Sequence, residues 1–192
     1  CSDIIELGRA CEGELCFNYN SPNAGASQNH LHLHAWVVPT PYAVTTRPVL
    51  PDSTVTLFDG AVEASVLDWP AACVRVRGGT SEQSGAVLSA LCHEVPTHNI
   101  VVLGGDAYAF LRAVDGEVSD GVPLLKMGAC QLLGHFIVDT NAQFDAASRE
   151  SDGGIVERCL LDTRGVAGSA TALEEPRLLL ERIARQGVTL PT

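Results

Sequence analysis

The chain has 192 residues, 46% of them hydrophobic and 18% charged, with a formal net charge of −11. That length and balance suit one globular domain with a sizeable core and exclude a disordered chain. The acidic excess argues against a nucleic-acid partner or an anionic membrane surface, since both are held by clustered Lys and Arg, whereas a single nucleotide needs only a local site.

Within these residues no apolar run reaches the length of a membrane-spanning helix, and no secretory signal pattern occurs. The seven cysteines (Cys1, Cys11, Cys16, Cys73, Cys92, Cys130 and Cys159) are widely spaced, with no C-x-x-C pair. Such a set signals neither a disulfide framework nor a zinc ribbon. It implies reduced, mostly buried thiols in a cytoplasmic protein. The start at Cys1, just ahead of the most informative stretch, leads to the expectation that residues 1–192 are a single domain forming the C-terminal portion of a longer protein.

In chain order, residues 1–12 suit the end of a helix, and "ELCFNYN" (14–20) alternates as a strand does. "SPNAGASQN" (21–29) is rich in turn residues. "HLHLHAWVV" (30–38) reads as a strand of period two, so the two strands form a hairpin. Residues 39–60 hold four of the ten prolines and read as irregular surface chain. "AACVRVRG" predicts a strand, residues 81–94 a helix, and "HNIVVLGGDAYAFLRAV" a second hairpin turning at Gly104-Gly105-Asp106. "LLGHFIVD" (132–139) reads as a strand, followed by helices over 142–150 and about 154–161. The last helix has Pro176 in its first turn, Glu174 and Glu175 at its positive end and Gly187 at its C-cap. Strands and helices mixed without regular β-α-β alternation predict an antiparallel α+β domain. The two hairpin units, 14–38 and 98–114, are weak echoes of one another.

Three of the six histidines, His30, His32 and His34, stand at every second position. On a strand they share one face, about 7 Å apart, with Leu31 and Leu33 turned toward a core. One chemistry for such a ridge is zinc ligation, since His-x-His on a strand is a common ligand spacing, with a third ligand from His34, His93, His98, His135 or a carboxylate. The other is nucleophilic catalysis, in which a neutral imidazole attacks phosphorus. The preceding turn, with Asn20, Ser21, Asn23, Gly25, Ser27 and Gln28, favours the second. Small residues let backbone N–H groups approach an anion, which a metal cage does not need. His93 and His98 read as solvated. His135 reads as a satisfied strand residue, Trp36 as core, and Arg75 and Arg77 as a solvated face.

The pattern N-x4-G-x-S-x-x-H-x-H-x-H, met by Asn20, Gly25, Ser27, His30, His32 and His34, resembles the histidine-triad superfamily of nucleotide hydrolases and transferases. Within it, "NAGASQNHLHLHAW" looks like the diadenosine-tetraphosphate phosphorylases and the GDP-hexose phosphorylases, which act on GDP-L-galactose or GDP-D-glucose. "VLDWPAACVRVRGG", "HEVPTHNIVVLGGDAYAFLRAV" and "LLGHFIVDTNAQFDAASRE" follow the order and pattern of the second group. The resemblance covers roughly residues 14–150. His34 departs from both groups, which carry Gln in the third place; His there is the pattern of the hydrolase branch.

The resemblance implies a histidine-triad-like antiparallel sheet with flanking helices, its second hairpin a degenerate repeat without histidines. It implies that His32 is the nucleophile, that His30 and His34 orient it and contact phosphate oxygens, and that Asn20, Gly25 and Ser27 bind phosphate. The expected reaction converts GDP-hexose and inorganic phosphate to hexose-1-phosphate and GDP through a guanylyl-histidine, with no metal and no cofactor. Two alternatives stand beside it. One is a dinucleoside-polyphosphate phosphorylase or nucleotide hydrolase; the other is a non-enzymatic nucleotide- or zinc-binding half-domain. The expected partners are small molecules, with a homodimer or a missing N-terminal half completing the site.

Overall fold

In the computed structural model of the chain, residues 1–26, 30–38, 41–113, 127–137, 140–149, 157, 159–161, 163–164 and 174–190 are described. The elements are α1 (Ser2–Ala10), β1 (Leu15–Asn20), β2 (His34–Val37), a 3-10 turn (Ala43–Thr46), β3 (Val49–Leu57), β4 (Val62–Leu67), β5 (Ala72–Gly78), α2 (Ser81–Glu94), β6 (His98–Leu103), β7 (Asp106–Leu111), α3 (Ala129–Leu132), α4 (Asn141–Arg149) and α5 (Pro176–Gln186). The strands form a seven-stranded sheet in the order β2-β1-β6-β7-β5-β4-β3. Each ladder is antiparallel. This is the α+β architecture that the mixed pattern predicts, with the two hairpin units side by side through the β1–β6 ladder.

Strand alternation sends side chains to two cores. On one face Val74, Val76, Ile100 and Val102 meet α1, α2 and α5 through Ile5, Leu88, Leu91 and Leu180. On the other, Cys16, Cys73, Val101, Tyr108 and Phe110 meet Tyr42, Leu132 and Leu133. The helix ends follow local chemistry. Thr80 and Gln83 exchange a capping box at the start of α2, and α5 begins with Pro176 and stops at Gly187 with φ +77°; both devices satisfy end groups of the backbone.

Two expectations are corrected. Residues 39–60 are not irregular throughout, since Val49–Leu57 is a nine-residue strand paired with the unanticipated β4. Its one proline, Pro51, fits because β3 is a sheet edge with a register shift between Val49 and Thr54, where a missing N–H is tolerated. Phe58, Asp59 and Gly60, all at positive φ, turn β3 into β4. "LLGHFIVD" is not a strand over its described part. Gln131 accepts the Gly128 N–H at the start of α3, the chain turns at Gly134 (φ +92°), and residues 135–137 follow in irregular chain; residues 138–139 lie outside the described set. The helix expected over 142–150 is α4. Of the one expected over 154–161, only 157 and 159–161 are described, and they are helical. Among the described residues no helix is long and apolar enough to cross a membrane.

Candidate functional site

The site forms where the first hairpin opens. β1 and β2 pair from Leu15↔Val37 to Asn18↔His34 and no further. Beyond Asn18, β1 continues only with β6, to Asn20↔Asn99. The turn after β1 is pulled the same way: Ser21 N–H donates to the His98 carbonyl, His98 N–H donates to Ser21 Oγ, and Asn99 Nδ2 donates to the Ala24 carbonyl. The described start of the turn is thus tied to β6 through Ser21 and Ala24. The expected strand over 30–38 is therefore corrected: it begins at His34, the one histidine of the three in the ladder, and His30 to Leu33 precede it. Leu31 and Leu33 do not enter a core. They are 81% and 43% exposed, because β2 is the other sheet edge.

The three histidines nonetheless come together. The His30 and His32 ring centroids lie 5.2 Å apart and those of His32 and His34 4.9 Å apart, the latter pair perpendicular. His30 and His34 are exposed and His32 is half-buried. His32 Nδ1 lies 3.0 Å from the His30 carbonyl oxygen. A carbonyl only accepts, so the contact places a proton on Nδ1, and in the neutral ring the lone pair is then on Nε2. That is the tautomer a nucleophile needs. His34 Nδ1 lies 3.4 Å from Asn18 Oδ1.

Asn20 stands two residues beyond Asn18 on the same strand face. Its Oδ1 accepts from Asn99 Nδ2 at 2.6 Å and from the Ala129 N–H at 3.3 Å. With its oxygen taken, Asn20 has its Nδ2 hydrogens to offer, the polarity that suits an anion. Behind it the buried Arg112 donates to Asn99 Oδ1 and, at 2.6 Å, to the Met127 carbonyl. Gly25 has φ +88°, and a Cβ there would stand 3.3 Å from the Met127 oxygen and 3.4 Å from Gly128 Cα. Glycine therefore serves both the turn and the close approach of the segment ahead of α3. Ser27, the remaining expected phosphate ligand, lies outside the described residues.

Sequence reasoning missed Asn18, Asn99, Arg112 and the segment Met127–Ala129. The available signal was asparagine in strand interiors, where it is depleted unless its amide is used.

The weaker expectations divide. Trp36 lies partly buried against the second core, and its indole N–H donates to the Tyr42 hydroxyl. His135 is exposed, its ring 6.3 Å from that of Tyr42. His93 is exposed, as expected, but His98 is buried and not solvated. It opens β6, an interior strand, and its Nδ1–H donates to the Val95 carbonyl at 2.8 Å. Arg77 is exposed and paired with Asp106, whereas Arg75 is mostly covered beside Glu63. Cys16, Cys73 and Cys159 are buried, Cys11, Cys92 and Cys130 partly so, and Cys1 is exposed. Among the described residues no group of three His, Cys, Asp or Glu side chains is placed to hold a metal ion.

No protein-family model matches the sequence, and no curated protein does. Among solved structures the chain is similar to the crystal structure of yeast Ap4A phosphorylase Apa2, with a TM-score of 0.61 and 14% sequence identity over 84% of this chain. The match spans 63% of the length of that structure. At that identity the likeness concerns the fold alone.

Proposed function

We propose that the chain transfers a nucleotidyl group through His32, as a phosphorylase of dinucleoside polyphosphates. His32 Nε2 attacks the α-phosphorus of the substrate, the P–O bond to the remaining phosphates breaks, and a nucleoside polyphosphate leaves. An oxygen of inorganic phosphate then attacks the same phosphorus, the P–N bond breaks, and a nucleoside diphosphate is released. Two in-line displacements give net retention at phosphorus and ping-pong kinetics. The observation that carries this reading is the 3.0 Å contact of His32 Nδ1 with the His30 carbonyl. It leaves Nε2 unprotonated for attack and lets the ring depart from phosphorus as a neutral imidazole. Asn20, Gly25 and Ser27 bind phosphate in this reading, with His30 and His34 beside the reacting group. The shared fold with an Ap4A phosphorylase supports the substrate class.

A second substrate, GDP-hexose, is favoured by the sequence patterns around Trp69-Pro70, Thr97-His98-Asn99 and Gly134-His135. The chemistry is the same, with hexose-1-phosphate leaving first and GDP released by phosphate. In both readings the rest of the nucleotide pocket comes from a preceding segment or a second copy.

Intact mass of the longest available form, mixed with diadenosine tetraphosphate or with GDP-glucose and no phosphate, tests this. An AMP-sized adduct on the wild type, absent from His32→Ala and discharged as ADP by phosphate, is the expected result. A GMP-sized adduct formed only with GDP-glucose selects the second substrate. No adduct with either, or an adduct on His32→Ala, overturns the proposal.

A further inference from the structure

A buried strand asparagine is unfavourable unless its amide is engaged. Asn18 is 2% exposed and stands directly across the β1–β2 ladder from His34. Its Oδ1 faces His34 Nδ1 at 3.4 Å. An amide oxygen only accepts, so the pair holds the His34 proton on Nδ1 and leaves a lone pair on Nε2. The backbone does the same for His32 through the His30 carbonyl. In their neutral forms both imidazoles therefore present Nε2 lone pairs, with the rings perpendicular and 4.9 Å apart. One nucleophile needs one such nitrogen, and a second adjacent lone pair is the equipment of a proton acceptor.

We propose that Asn18 is a positioning residue that sets the tautomer of His34, so that His34 Nε2 takes the proton of water as it attacks the nucleotidyl-His32 intermediate. The inference rests on the nucleotidyl-histidine reading above and extends it to a hydrolytic second step. As the water oxygen bonds to phosphorus, the P–Nε2 bond to His32 breaks and one O–H proton moves to His34 Nε2. His32 leaves neutral, with its Nδ1 proton still donated to the His30 carbonyl. A nucleoside monophosphate departs, and His34 returns its proton to solvent. Phosphate dianion already offers unprotonated oxygens and needs no such base. The Asn18–His34 pair thus governs hydrolysis far more than phosphorolysis.

The test compares wild type, Asn18→Leu, Asn18→Ser and Asn18→Asp, each checked by thermal melting. Preformed adduct is followed in buffer alone and in buffer with phosphate. Asn18→Leu and Asn18→Ser should slow discharge to water by about 10- to 100-fold, a larger factor than the one by which they slow adduct formation or discharge to phosphate. Asn18→Asp keeps an acceptor oxygen and should retain discharge to water. Nitrogen-15 NMR of the ligand-free wild type should show His34 protonated on Nδ1 and not on Nε2, a preference lost in Asn18→Leu. An Nε2-protonated His34 in the wild type overturns the assignment, as does equal slowing toward water and phosphate, which would indicate a general structural defect. Failure of any adduct to form on the wild type sinks the nucleotidyl-histidine reading itself. The tautomer measurement, which needs no substrate, tells that failure apart from failure of Asn18.

Discussion

His98 shows how far one residue's role depends on its neighbours. Burial, first of all, pushes its imidazole below the ordinary value of 6.5, against the opposing pull of the Val95 and Pro96 carbonyls. The unfolded chain therefore binds a proton on this ring at higher pH than the folded chain does. The resulting contribution to stability is complete above about pH 6.5 and is lost as the pH falls through the lower folded value. Urea midpoints measured downward from neutrality should fall through that window, and His98→Gln should flatten the slope. Asn99 is a second case. Its amide joins β6 to Asn20 and to the Ala24 carbonyl, with Arg112 behind it. Asn99→Leu removes three hydrogen bonds and takes the Ala24 carbonyl's amide donor away, at about 1–3 kcal/mol for that group, while Asn20 keeps the Ala129 N–H and Arg112 keeps the Met127 carbonyl; a urea midpoint equal to the wild type's would show that the network contributes nothing. The histidine triad was legible because spacing is a local property. Asn18 and Asn99 were not, because a strand asparagine acquires its meaning from the residue across the ladder.

At the scale of elements, α1 lies on β6 so closely that a Cβ at Gly8 would overlap the Val102 side chain. Gly85 similarly admits Ser2, with a notional Cβ 2.5 Å from Ser2 Oγ. Helix propensity alone favours Ala over Gly by about 1 kcal/mol, whereas overpacking costs about 1–3 kcal/mol. Gly8→Ala should therefore lower the melting temperature, because Val102 is β-branched and has no flexible end to withdraw. A rise in melting temperature would mean that the helix rides higher on the sheet. Thr80→Ala removes the capping box of α2 and should cost about 1 kcal/mol. That helix, α5 and the second hairpin were readable from period and caps. β3 was not, because prolines that suit a sheet edge look the same in sequence as prolines of a loop. β2 was over-read for the complementary reason: an alternating pattern marks a strand only while a partner strand stays beside it.

Over the whole molecule, the two cores protect the thiols unequally. Burial, with Cys130 nearby adding to it, pushes the Cys16 thiol up to about 12, and burial raises Cys73 as well. A thiol reagent should label Cys1 quickly in the native protein and reach Cys16 and Cys73 only after denaturation, since the thiolate is the reactive form. Peptide mapping that finds Cys16 labelled as fast as Cys1 would show that the second core opens. The sequence by itself determined the α+β class, most of the helices, the second hairpin and the spacing that brings three imidazoles together. All of these are set by periodicity and caps over a few residues. Only the tertiary structure decided that the first hairpin opens at Asn18, that Leu31 and Leu33 stay outside, that His98 is buried, and that Asn99 and Arg112 stand behind Asn20. Each depends on which strand lies beside which, and β1 meets β6 across some eighty residues of chain. Neighbours at that separation are chosen by the burial of two sheet faces at once, a condition that no local pattern contains.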